Sequence, residues 1–215
     1  MVRGLDVFRE HFAGHADQFV LIGGTAATLA MGEAWLEFRA TKDLDIVLHI
    51  EALNPSFGEV FWRFVEAGGY EIRQASATGR PVFYRFQKPA DERFPAMLEL
   101  FCRAPDGIKL AEDSRLTPVP IDEAAASLSA ILLEYTYYEF ILTGRKEGAG
   151  SPWVGEDRLI PLKASACGCT SASARPRASL WTARTSASTP TTCCVCLSCS
   201  RRTFASRSSQ GLRRI

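Results

Sequence analysis

FVLIGGTAATLAMGEAWLEFRATKDLDIVLHI, residues 19–50, holds two apolar runs with small and acidic residues at their edges. The first run is 19–22. Gly23, Gly24 and Thr25 follow it, and then a segment rich in Ala, Leu, Met and Glu, all good helix formers. The second run, 44–50, carries Asp43 and Asp45 at its start. The order reads as strand, glycine turn, helix, connection, strand. Residues two apart on a strand share a face, so Asp43 and Asp45 aim side by side while Leu44 and Ile46 aim into the core. Two neighbouring carboxylates repel each other and suit a shared hard cation with oxygen ligands, most often Mg²⁺. The glycine turn stands at a helix N-terminus, where free N–H groups and the helix dipole favour a phosphate. Glycine lets that phosphate approach the backbone.

Each half has a plain structural reading. A Gly-Gly pair before a helix is commonly a tight turn, and Asp-x-Asp at a strand edge is commonly a solvated flank. Together, in this order, they point to phosphoryl or nucleotidyl transfer. Gly23-Gly24-Thr25 followed by Arg39-Ala40-Thr41-Lys42-Asp43-Leu44-Asp45 resembles the nucleotidyltransferase superfamily related to DNA polymerase beta. Within it, the sequence is most similar to the branch of AbiEii-type toxins of bacterial toxin–antitoxin systems. The resemblance covers residues 1 to about 163.

The resemblance implies an α/β (α+β) fold with a mixed sheet flanked by helices. It implies transfer of a nucleoside monophosphate from an NTP to an acceptor hydroxyl or phosphate on RNA, a tRNA end included, or on protein. Two Mg²⁺ ions would be held by Asp43 and Asp45, with a third carboxylate from a later strand. Gly23, Gly24 and Thr25 would hold the triphosphate, and Arg39 and Lys163 would neutralise it. An antitoxin would be the protein partner. Glu99 is the best-placed third carboxylate. It lies within the apolar run AMLELFCR, residues 96–103, where an unpartnered charge is costly. A glutamate on the rim of an edge strand is the alternative.

Outward from this stretch, residues 4–16 form an apolar stripe that predicts a first helix. Val60, Phe61, Phe64 and Val65 predict another after Pro55, stopped by Gly68-Gly69. Residues 70–74 and 82–87 read as strands joined by a turn at 78–81. Residues 117–121, with two prolines, form an edge segment at best, and 126–133 fit strand or helix. A short helix is expected over 134–142, a loop over 144–150 and a helix over 155–163.

The 215 residues are 47% hydrophobic and 23% charged, as for a globular protein. There is no apolar run of membrane-spanning length and no apolar centre of a signal peptide near the N-terminus. The expected location is therefore cytoplasmic. The net charge of +1 hides an asymmetry. After Lys163 there are eight arginines and no Asp, Glu or Lys, so the preceding body is acidic. That argues against a broad basic RNA-binding face. Six of the seven cysteines also lie beyond Lys163. The segment 164–215 has no apolar period, and its composition is what a GC-rich gene yields out of frame. A disordered, frameshifted tail is the expectation. Two alternatives stay open for the whole chain. One is a truncated, inactive relative. The other is an adaptor whose tail binds zinc through Cys196 and Cys199 with Cys193, Cys194, Cys167 and Cys169, or binds RNA through its arginines.

Overall fold

A computed structural model gives the fold. It describes residues 2–74, 83–107, 110, 115–121, 128–148 and 150–166. The expected turn at 78–81 and the tail from 167 onward lie outside them. The chain falls into two compact units, Met1–Leu159 and Ile160–Ile215. The sequence had drawn the boundary a few residues later, after Lys163.

Among the described residues, nine strands form one mixed sheet, and all belong to the first unit. They are β1 (Phe19–Ile22), β2 (Asp43–Leu48), β3 (Glu71–Gln74), β4 (Phe83–Gln87), β5 (Met97–Cys102), β6 (Leu116–Pro118), β7 (Ser129–Leu132), β8 (Arg145–Gly148) and β9 (Ser151–Val154). The main order is β3-β4-β5-β2-β1-β9-β8, and β7 pairs with both β5 and β6. β2 runs parallel to β5 and antiparallel to β1, and β9 runs parallel to β1. The expected α/β class is the observed one. The helices are α1 (Leu5–His11), α2 (Gly23–Glu33), α3 (Pro55–Gly68), α4 (Tyr135–Thr143) and α5 (Glu156–Ala166).

Two expectations are corrected. The first helix is shorter than 4–16: α1 ends at His11, and Ala13–Gln18 winds as a tighter 3-10 segment. The 144–150 region is not simply a loop, because 145–148 pairs with 151–154 as a hairpin. That hairpin adds β9 to the free edge of β1. α3 matches its sequence signals closely. Asn54 accepts a hydrogen bond from the Phe57 N–H at its N-terminus, Pro55 opens it, and Gly69 at φ 60° closes it.

Phe19, Leu21, Leu44, Ile46, Phe86 and Leu98 share one sheet face by strand register. α1 and α3 cover that face with aromatic side chains. Phe8 stacks on Phe12 at 4.4 Å, Phe61 meets Phe86 edge-on at 5.2 Å, and Phe64 meets Phe94 at 4.9 Å. Phe64 is fully buried and also contacts Phe8, Phe12 and Tyr70. Phe64→Ala is expected to cost about 3–5 kcal/mol, the usual range for emptying a buried phenylalanine site. A urea denaturation series checks this as a lower midpoint at unchanged slope.

Candidate functional site

β1 passes into α2 without a loop. Ile22 is extended, and Gly23, the first helical residue, has φ 66°. An L side chain is strained in that left-handed region. A Cβ on Gly23 would also overlap the Asp45 carboxylate, so that carboxylate lies against the backbone at the start of α2. A Cβ on Gly24 would stand 2.9 Å from the Thr41 hydroxyl. Both glycines are therefore close-approach positions, and each meets a residue of the R-x-T-x-D-x-D segment. Thr25 is fully buried, and its hydroxyl donates to the Asp43 carbonyl at 3.1 Å. It fastens α2 to β2, so the hydroxyl proton is committed to that bond.

Asp43 and Asp45 alternate with the buried Leu44 and Ile46, as the strand period requires. Asp45 is in register with Glu99 on β5, and Glu99 with Arg85 on β4. Asp43, Asp45, Glu99 and Arg85 therefore share the face opposite the aromatic core. Burial lifts the Asp43 carboxyl above its ordinary value, against the pull of Lys42, Arg39 and Arg85. Burial also lifts Glu99, opposed by Arg85 and reinforced by the charge of Asp43. Arg39 is exposed and Lys42 is exposed. The carboxylate pair thus stands among cations, beside a helix N-terminus.

Glu99 and Arg85 form an ion pair, with side chains 12% and 15% exposed. Among the described residues, no three His, Cys, Asp or Glu side chains are grouped so as to hold an ion together. The donor set suits a hard divalent ion at Asp43 and Asp45, whose carboxylates are hard oxygen ligands. Glu99 is already turned to Arg85. Lys163 lies on α5, within the second unit.

An open groove of about 410 Å³ runs along α2 and the segment after it, lined by Thr28, Gly32, Leu36, Glu37, Phe38 and Ala40. Next to it, Trp35 adopts φ 57° and is 96% exposed.

Sequence reasoning did not single out Arg85, and it gave Thr41 no role beyond its place in the 39–45 motif. The signal for Arg85 was present: it interrupts the aromatic run FYRFQ as Glu99 interrupts MLELFC. Two opposite charges in two apolar strands are candidates to pair. The contact of Thr41 with Gly24 depends on the return of the chain. Among the described residues, no helix is long and apolar enough to cross a membrane. No family model, curated protein or solved structure matches the chain.

Proposed function

We propose that the protein is a metal-dependent nucleotidyltransferase that moves a nucleoside monophosphate from an NTP to an acceptor. The observation that carries this reading is the Asp45 carboxylate against Gly23 at the start of α2, with Asp43 on the same face. A phosphate-favouring helix end and a cation-favouring carboxylate pair then meet at one point. The N–H groups of the first turn of α2 hold phosphate oxygens. Arg39 and Lys42 neutralise the rest of the triphosphate. A divalent ion on Asp43 and Asp45 would supply charge stabilisation at the reacting phosphate. The acceptor oxygen bonds to the α-phosphorus as the bond from that phosphorus to the α,β-bridging oxygen breaks; pyrophosphate leaves, and the proton of a hydroxyl acceptor passes to water.

The resemblance of Gly23-Gly24-Thr25 and of residues 39–45 supports RNA, a tRNA end included, as the acceptor, with protein as the other acceptor class. It also supports a cognate antitoxin as partner and a cytoplasmic location. The test incubates the full chain with each α-labelled NTP, Mg²⁺ and total tRNA or a protein extract. Label is expected to move to the acceptor, and the Asp43→Ala, Asp45→Ala double variant is expected to lose this completely. Equal label transfer by the double variant would remove the proposal.

One observation favours a second reading, an inactive relative: Glu99 is paired with Arg85. On that reading no NTP is transferred, and nucleotide binding is indifferent to Asp43 and Asp45.

A further inference from the structure

α2 ends in a left-handed turn. The Trp35 N–H donates to the Gly32 carbonyl at 3.1 Å and the Leu36 N–H to the Met31 carbonyl at 2.9 Å, with Trp35 at φ 57°. Helices that close this way usually carry glycine at that position, because an L side chain is strained there. α3 follows the rule with Gly69. At the end of α2 the bulkiest of side chains stands instead, and it is almost fully exposed. Its backbone is strained and its ring packs on next to nothing, so folding gives no reason for a tryptophan here.

An indole face open to water is a stacking surface. Leu36 beside it is also exposed, but two apolar side chains fall short of a stable protein contact, which buries roughly 800 Å² a side. One indole face matches one nucleobase. From Leu36 the chain runs back along α2 until Thr41 lies against Gly24. It exposes Arg39 and Lys42 on the way to Asp43. Glu33 and Glu37 are exposed on either side of the indole, and Glu33 is paired with Lys146. These carboxylates keep phosphates off the tryptophan itself, so a strand meets it with a base and sets its phosphates against Arg39 and Lys42. The eleven residues of α2 span about 16 Å. An NTP base sits one sugar away from the reacting phosphate, so a platform at the far end of α2 suits a base further back along an acceptor strand.

We propose that Trp35 is the stacking platform for an unpaired base of single-stranded RNA whose end reaches Asp43, with Arg39 and Lys42 against its phosphates. The acceptor role of that strand rests on the nucleotidyl-transfer reading above. Trp35 is a positioning residue and takes no part in the bond changes.

Trp35→Gly separates binding from folding, since glycine suits the left-handed position and should leave the urea midpoint equal or higher. Fluorescence anisotropy reads the affinity of the full chain for a short labelled oligoadenylate RNA and for an abasic strand of the same length. At one fixed salt concentration the arginines beyond Lys163 contribute equally to both proteins. The variant is expected to bind oligoadenylate about 5- to 150-fold more weakly, the range for one stacked base. Its affinities for the abasic strand and for α,β-methylene ATP should not change, and Trp35→Tyr should recover part of the loss. Equal oligoadenylate affinity in Trp35→Gly would overturn the proposal. A lower urea midpoint would also overturn it, by giving the indole a place in the fold. Loss of the ATP analogue in place of oligoadenylate would make the ring a donor-base platform. Loss of a dimer in sedimentation velocity, with oligoadenylate binding intact, would make it a contact between two copies of the chain. Either result overturns the proposal. Label transfer to tRNA is scored separately: its absence in the unaltered chain removes the transfer reading, while the anisotropy ratio still decides the platform.

Discussion

Asp43→Asn should lower nucleotide transfer by more than about 100-fold, because loss of even an outer partner of a metal ligand costs roughly 10- to 100-fold. The same change should raise the melting temperature of the metal-free protein near neutral pH. Burial lifts the Asp43 carboxyl above its ordinary value, so the folded chain holds that proton more tightly than the unfolded chain. The stability this gives is full below the unfolded value and is lost as pH rises through the folded one. Above that window an ionised Asp43 is a net cost, and asparagine removes it. Melting curves from acid to neutral pH should show the variant gaining on the unaltered protein across the window and then holding its lead. Glu99 is lifted by burial and also by the charge of Asp43, so removing that charge eases the ionisation of Glu99 and adds to the variant's lead. Added Mg²⁺ should reverse the order near neutral pH by stabilising only the protein that binds it. A variant less stable than the unaltered protein at every pH would show that the Asp43 charge is favourably held without metal.

Gly23→Ala should damage fold and site together. At φ 66° an alanine costs about 1–2 kcal/mol from its backbone alone. Its Cβ must also displace the Asp45 carboxylate, so transfer should fall as far as it does in Asp43→Asn. Gly32→Ala is the matched control on the same helix. It is exposed, with no atom near its added Cβ, and should be neutral or gain up to about 1 kcal/mol through helix propensity. Urea midpoints and transfer rates of the two variants check both statements. A Gly23→Ala protein with normal stability and activity would show that α2 can start without the close approach.

The β1–α2–β2 unit was legible because three local signals agree: an apolar run, a glycine pair, and a second run with carboxylates at period two. α3 was legible because its stripe, its Pro55 start and its Gly69 stop are all local. β8 and β9 were not, since RKEG and SPWV have no alternation, and β9 is buried throughout its length. Its extended state comes from pairing with β1, residues more than a hundred positions earlier. α2 was expected to follow a turn made by Gly23 and Gly24. It begins at Gly23 and stops at Glu33, because helix propensity does not register a glycine pair that packs under a carboxylate or a left-handed Trp35. In the site, Asp43, Asp45 and Glu99 were correctly placed on neighbouring strands. The direction in which Glu99 turns needed the register of β4, which a distant pairing sets.

The place of β9 bears on how the chain acquires its shape during synthesis. β1 emerges from the ribosome first, and β9 follows more than a hundred residues later. Until then one edge of β1 stays open, although all four of its residues are buried in the finished molecule. An open apolar edge is a template for pairing with other chains, and long-range parallel pairing is slow to form. A nascent chain paused anywhere between β2 and β9 is therefore the form most in need of a chaperone.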